Sequence, residues 1–218
     1  MLIPPAGRLR AIIFDLDEVL LARDAAWRHA LEEAIVVVCG ERVDAAPLAA
    51  EYRTRPWRHV LNVVLRDRDQ IESCESLCRE FFGRSAMKKL LVHEGIGMAL
   101  DSLRARQVEM GAISREPHPI ALKQVQSTGL DRFLSVLSAQ PEGEQWDALA
   151  RFERCLRFLE YPASACAFVS HDAWDLETVS REGAECYRAG WANANDGEFP
   201  ALSAPGELAA VAGMRTGS

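Results

Sequence analysis

The sequence predicts an α/β protein, a parallel sheet with helices on both faces, into which a run of helices is inserted. Three observations carry this reading. From about residue 95 onward, short apolar strands alternate with helical patterns, which implies crossover connections and a parallel sheet. Residues 23 to 91 break that rhythm with apolar residues at helical spacing. Finally, polar side chains gather where the expected strands end, at Asp15, Asp17, Ser114, His171, Asp172 and Asp175. Ligands of such sheets bind beyond the carboxyl ends of the strands.

Residues 11–16 read as a buried strand that runs straight into Asp15-Leu16-Asp17-Glu18. Three carboxylates so close raise one another's pKa. A folded chain tolerates them where something cationic, or some chemistry, sits. The helical region follows, with Ala26, Ala30, Leu31, Ala34 and Ile35 on one face and Val60, Leu61, Val64 and Leu65 on another. Pro47 and Pro56 break it into pieces, and the first helix is expected to end at Gly40. Cys74 and Cys78, one turn apart with no second Cys or His pair nearby, read as small core residues. Arg53, Arg55, Trp57 and Arg58 form a basic-aromatic cluster around Pro56, and His93-Glu94-Gly95 marks the return to the sheet-forming part.

A helix is expected from Gly95 to Arg106 with Met98, Ala99 and Leu103 inward, then a strand from Val108 ending at Ser114. The next helix follows Pro119, well placed in a first turn, and closes at Gly129. A strand over 133–138, a helix over 149–159 and a strand over 166–170 come next. A helix over 175–182 stops at Gly183, and a last strand covers 185–189 before a polar loop at 193–197. The expected core is Rossmann-like, made of residues 1–21 and 92–218, with 22–91 as the helical insertion.

Composition narrows the function. With 49% apolar and 26% charged residues, the chain is ordinary globular protein. Its net charge of −7 argues against nucleic acid or an anionic membrane as partner. No apolar run is long enough to span a bilayer, and Met1-Leu2-Ile3-Pro4-Pro5 lacks the features of a secretory leader, so a cytoplasmic location is the expectation. The six scattered cysteines are expected as free thiols.

The segment Asp15-Leu16-Asp17-Glu18-Val19-Leu20 behind its apolar strand resembles the first motif of the haloacid dehalogenase-like hydrolase superfamily. "MGAIS", ending at Ser114, is similar to its second motif, and "AFVSHDAWD" with Gly183 to its fourth. The insertion lies where the helical-cap phosphatase-like members carry their cap, so the resemblance assigns 22–91 to a helical cap domain. It implies a hydrolase in which Asp15 attacks phosphorus to form an aspartyl phosphate and Asp17 is the general acid and base. It implies Mg²⁺ held by the Asp15 carboxylate, the Asp17 backbone carbonyl and an acid of the fourth motif. Ser114 would hydrogen-bond the transferring group of a small phosphorylated metabolite.

The chain departs from that pattern in two places. The third motif should supply a lysine, but "SAQPEGEQWDALARFERCLRFLE" has none, and Trp146 falls at its position. Arg151, or Arg115 beside Ser114, would then supply positive charge, and Arg55 of the cap would reach the substrate's non-reacting part. In the fourth motif, His171 takes the usual first acidic position and Asp175 the second, with Asp172 able to substitute by a one-residue shift. Imidazole is a poor magnesium ligand. His171 reads as structural, as a cationic substitute or as a metal ligand. Two alternatives remain: a catalytically weakened member that binds a ligand or protein, and a metal-independent L-2-haloacid dehalogenase-like hydrolase, whose fourth motif is partly similar.

Overall fold

The computed structural model describes residues 9–48, 60–62, 64–65, 67–192 and 198–213. It divides into two compact units, residues 1–22 with 92–218 and residues 23–91.

In the first unit, β1 (Ala11–Asp15) is buried at every position. A strand buried on both faces is the mark of a central strand in a covered parallel sheet. The main sheet is parallel throughout, in the order β5-β4-β1-β6-β7-β8, with β4 at Glu109–Pro117, β5 at Val136–Gln140, β6 at Cys166–Ser170, β7 at Glu185–Ala189 and β8 at Ala201–Leu202. Two-residue strands β2 (Leu21–Ala22) and β3 (Leu91–Val92) mark where the chain leaves and rejoins this unit. One face of the sheet, with Ala11, Ile13, Ile113 and Phe168, is covered by Phe152 and Cys155 of α5 (Ala148–Leu159) and by Leu176 and Val179 of α6 (Ala173–Ser180). Phe152 meets Phe168 edge-on at 5.7 Å between ring centres. By strand alternation, Ile12 and Phe14 face the other way and are equally buried. Helices α3 (Ile96–Ala105) and α4 (His118–Thr128) complete the layers, and α4 packs on β4 and β5. Gly111 lets β4 lie close to β5, since a Cβ there would meet the Val136 side chain at 2.8 Å. A short α7 (Leu208–Val211) packs against α3.

Several expectations shift. The strand expected to stop at Ser114 continues to Pro117, past a register break between Ser114 and Pro117. The strand expected over 133–138 starts at Val136, because Leu130–Arg132 form a 3₁₀ turn capped at Phe133. Helix α6 begins at Ala173 rather than at 175, since the Asp172 side chain caps it, and it ends at Ser180. Met98, expected inward, is 77% exposed, whereas Ala99 and Leu103 are buried. Residues 185–189 are not the last strand, because β8 follows.

In the second unit, α1 (Asp24–Cys39) and α2 (Arg68–Phe82) pack together. Helix α1 ends at Gly40, whose φ of 75° permits the left-handed turn that satisfies the Val36 carbonyl at 2.8 Å. The Asp67 side chain caps α2 by accepting from the Asp69 N–H at 3.1 Å. Trp27 stacks on Phe82 at 4.1 Å, and the Arg23 guanidinium lies over both rings. Cys74 and Cys78 are buried, and burial pushes the Cys74 thiol up to about 11 and Cys78 higher still, so both are inert packing groups. A cavity of about 730 Å³ within this unit is lined by His29, Glu33, Val36, Phe81 and Arg84, and holds none of the acids of the sheet edge. The cluster of Arg53, Arg55, Trp57 and Arg58, and the loop 193–197, lie outside the described residues.

Candidate functional site

The carboxyl ends of β1, β4 and β6 lie side by side because those strands are neighbours in parallel register. This adjacency brings Asp15, Asp17, Ser114, Arg115, His171, Asp172 and Asp175 together.

After Asp15 the chain winds through one wide π-helical turn, Leu16–Leu20, closed by the Leu21 N–H on the Leu16 carbonyl. Such turns are uncommon and gather at functional sites. Here the turn folds Asp17 back beside Asp15, both 2% exposed. The Asp17 N–H donates to Asp15 Oδ1 at 3.0 Å. His93 and the indole N–H of Trp191 hold the outer carbonyls of the turn, at Glu18 and Val19, each at 2.9 Å.

Asp15 Oδ2 receives the His171 ring, with Nδ1 at 2.9 Å, and the Ser170 hydroxyl donates at 3.4 Å. Burial alone would raise the Asp15 carboxyl, but the hydrogen bond and charge of His171, with Arg115 behind, hold it below its usual range. Burial works against the charged imidazole too, yet Asp15, Glu18 and Asp172 raise His171 above its ordinary value. Both shifts favour an ion pair.

Asp17 is gripped from β4. The Ser114 hydroxyl donates to Oδ1 at 2.9 Å and the Arg115 N–H to Oδ2 at 2.6 Å. The register break after Ser114 accounts for the second bond, because a bulge frees a backbone N–H from the ladder and re-aims it.

At the end of β6, Asp172 caps α6 by accepting from the N–H groups of Trp174 and Asp175 at 2.9 and 3.2 Å. Asp175 is 2% exposed. The Arg115 guanidinium bridges the two acids, with Nη2 at 2.7 Å from Asp175 and 3.1 Å from Asp172. It lies over the Trp146 ring at 4.5 Å, and the Trp146 N–H donates to Asp175 at 3.0 Å. Burial pushes Asp175 up to about 6, against the pull of Arg115 and the Trp146 hydrogen bond. Trp146, at the position where a lysine was expected, thus donates to the fourth-motif acid and carries a guanidinium on its face.

Arg151 stays apart, with its contacts on the Ala139 carbonyl and Glu144 at 3.2 and 3.6 Å. Arg55 lies outside the described residues. Sequence reasoning gave Ser170 and the Trp146 N–H no role. Ser170 carried a signal, as a buried polar residue ending an apolar strand next to His171. The Trp146 contact carried none, because it depends on the path of the 141–147 segment.

A family model of haloacid dehalogenase-like hydrolases matches residues 9–183, more than half of the chain. The chain belongs to this family. It is a hydrolase of the haloacid dehalogenase superfamily. No curated protein sequence matches it. Among solved structures, a subfamily IA hydrolase of Geobacter sulfurreducens is 15% identical, covers 97% of this chain and 100% of its own, and superposes with a TM-score of 0.78. A candidate β-phosphoglucomutase of Thermotoga maritima is 19% identical over 94% of this chain and 99% of its own, with a TM-score of 0.75. CbbY of Rhodobacter sphaeroides, in complex with phosphate, is 15% identical over 92% and 96%, at 0.64. These likenesses fix the fold. No helix among the described residues is long and apolar enough to cross a membrane.

Hydrolases of this family generally use Mg²⁺. That ion takes a near-ideal octahedron of oxygen ligands at short range. The expected donors are the Asp15 carboxylate, the Asp17 backbone carbonyl and an acid of the fourth motif, and the side chains at Asp15, Asp172 and Asp175 are otherwise engaged. His171 stands at the usual first acidic position and is itself on Asp15 Oδ2, and the Arg115 guanidinium spans Asp172 and Asp175. Among the described residues, no group of three or more His, Cys, Asp or Glu side chains is placed to hold a metal ion. The residues present do not fit a resident Mg²⁺.

Proposed function

We propose that this hydrolase cleaves the phosphoester of a small phosphorylated metabolite through an aspartyl-phosphate intermediate on Asp15. The observation that carries the reading is the buried pair of carboxylates at the end of β1, each oriented by its own donors. In the first step an Asp15 carboxylate oxygen bonds to phosphorus as the ester P–O bond breaks, and Asp17 gives its proton to the departing oxygen. In the second step Asp17 takes a proton from water, whose oxygen attacks phosphorus. The acyl-phosphate bond breaks, releasing inorganic phosphate and restoring Asp15.

The Ser114 hydroxyl and the Arg115 N–H fix the orientation of the Asp17 carboxylate. Arg115 is also suited to the phosphoryl group. Only Nη2 of its guanidinium is hydrogen-bonded among the described residues, which leaves Nε and Nη1 to donate to phosphoryl oxygens. In this reading residues 22–91 are the cap that sets substrate choice. Residues 1–21 with 92–218 are the catalytic core.

One observation favours a second reading. Asp15 is paired with His171 without the ligand set of a metal, which also suits attack on carbon with loss of halide, as in L-2-haloacid dehalogenases. A panel of phosphomonoesters and 2-haloacids separates the two, with phosphate release expected and halide release overturning the assignment. Asp15→Asn should remove either activity.

A further inference from the structure

We infer that His171 and Arg115 occupy the place of the divalent cation in this site, so that the chain turns over its substrate without one. The inference rests on the proposed nucleophilic role of Asp15. A bound Mg²⁺ would draw on the Asp15 carboxylate, whose Oδ2 the His171 ring approaches to 2.9 Å and the Ser170 hydroxyl to 3.4 Å. It would need an acid at the end of β6, and both acids there are tied to one guanidinium, at 2.7 and 3.1 Å. That guanidinium is in turn fixed by the Trp146 ring beneath it, and the Trp146 N–H meets the same carboxylate as Arg115. The cationic groups are therefore built in rather than incidental. Arg115 is anchored through Trp146, which stands where the family's motif would place a lysine.

The chemical demand on the site is positive charge near Asp15 and near the transferring phosphoryl group. A divalent ion meets both demands at one point. Here they are divided: His171 orients and neutralises Asp15, and Arg115 faces the phosphoryl oxygens with its unused N–H groups. An imidazolium in place of an acid changes the local charge by two, which is the charge of the ion it replaces. The two built-in positive charges then supply what the ion would have supplied. His171 acts through Asp15 and is a positioning residue.

The test uses the full chain and two readouts, thermal stability with MgCl₂ or EDTA and phosphate release from the phosphomonoester panel under the same conditions. For wild type, the melting temperature should be the same in 10 mM MgCl₂ and in EDTA to within about 1 °C, because a ligand that does not bind the native state adds no stability. His171→Asp should acquire a Mg²⁺-dependent rise of several degrees, the mass-action signature of a new site. His171→Asn, which removes the cation without adding an acid, should not. Any turnover by wild type should survive EDTA, and turnover by His171→Asp should need Mg²⁺. A Mg²⁺-dependent rise in wild type that Asp15→Asn abolishes would overturn the inference, as would wild-type turnover that EDTA stops and Mg²⁺ restores. If no panel member is hydrolysed in either condition, the proposed function fails. The melting data on wild type still decide the cation question, since they need no substrate.

Discussion

Two acidic strand ends meet in this site, and they are neutralised in opposite ways. At the end of β1, Asp15 and Asp17 are held by short-range donors: the Asp17 N–H, the Arg115 N–H, the hydroxyls of Ser114 and Ser170, and one imidazole. At the end of β6, Asp172 caps a helix, and beyond that cap Asp172 and Asp175 are held by long side chains, Arg115 from β4 and, for Asp175, Trp146 from the segment before α5. The first arrangement is fixed by strands and their immediate continuations. The second depends on where flexible side chains come to rest. Charge around Asp15 is therefore set close to the backbone, while the neighbouring acids are neutralised by a guanidinium that the Trp146 ring holds in place.

Substitutions can break this comparison. The largest effect should come from Asp15→Asn, which should cut hydrolysis by about 10⁴-fold or more, as loss of a nucleophile does, with the circular dichroism spectrum unchanged. Asp175→Ala should come next. It strands a half-buried indole N–H and frees Arg115, which is partly solvated, so urea denaturation should show a loss of about 2 kcal/mol. Asp172→Ala should cost about 1 kcal/mol, chiefly through the lost helix cap. Equal losses at 172 and 175 would erase the distinction between a buried seat and an exposed rim. Trp146→Phe keeps the ring under Arg115 but removes the N–H, and should cost about 1 kcal/mol by the same measurement. The i,i+4 pair Arg181–Glu177 on the outer surface of α6 should cost under about 0.5 kcal/mol when broken.

A pH series sharpens the comparison from the other side. The Asp15 carboxyl is depressed on folding, so its contribution is present above its unfolded value of 3.8 and lost as pH falls through the lower native value. His171 is raised, so its contribution is complete below the unfolded 6.5 and lost as pH rises through the higher native value. Melting temperature should therefore be best supported by this pair between about pH 4 and 6.5. His171→Gln should lack the alkaline-side decline, and an unchanged decline in that variant would assign it elsewhere.

The same contrast explains what was legible in the sequence. The strands Cys166–Ser170 and Glu185–Ala189 are found where apolar pattern and flanking turns place them, and the gathering of Asp15, Asp17, Ser114 and His171 follows from a parallel sheet. Boundaries slipped where a local hydrogen bond outweighed periodicity. The Asp172 cap started α6 two residues early, and the 3₁₀ turn at Leu130–Arg132 delayed β5. Met98 shows the limit of helical spacing, because a residue one position off the buried stripe of Ile96, Ala99, Leu100 and Leu103 points outward. The Arg115–Trp146–Asp175 arrangement was beyond reach, although Arg115 was a candidate and Trp146 was known to stand at the lysine position. No pattern along the chain says which way a tryptophan in a connecting segment will face.

Residue 115 contributes two separable things, and only one of them is written in its side chain. Its guanidinium reaches the acids beyond β6, but the bond that steadies Asp17 comes from its main-chain N–H. Every amino acid except proline brings that N–H. The proton-transfer group is thus insulated from drift at 115, while the positive charge beside it can be strengthened, weakened or removed one substitution at a time. Descendants of this chain can retune the electrostatics of the site without rebuilding its acid.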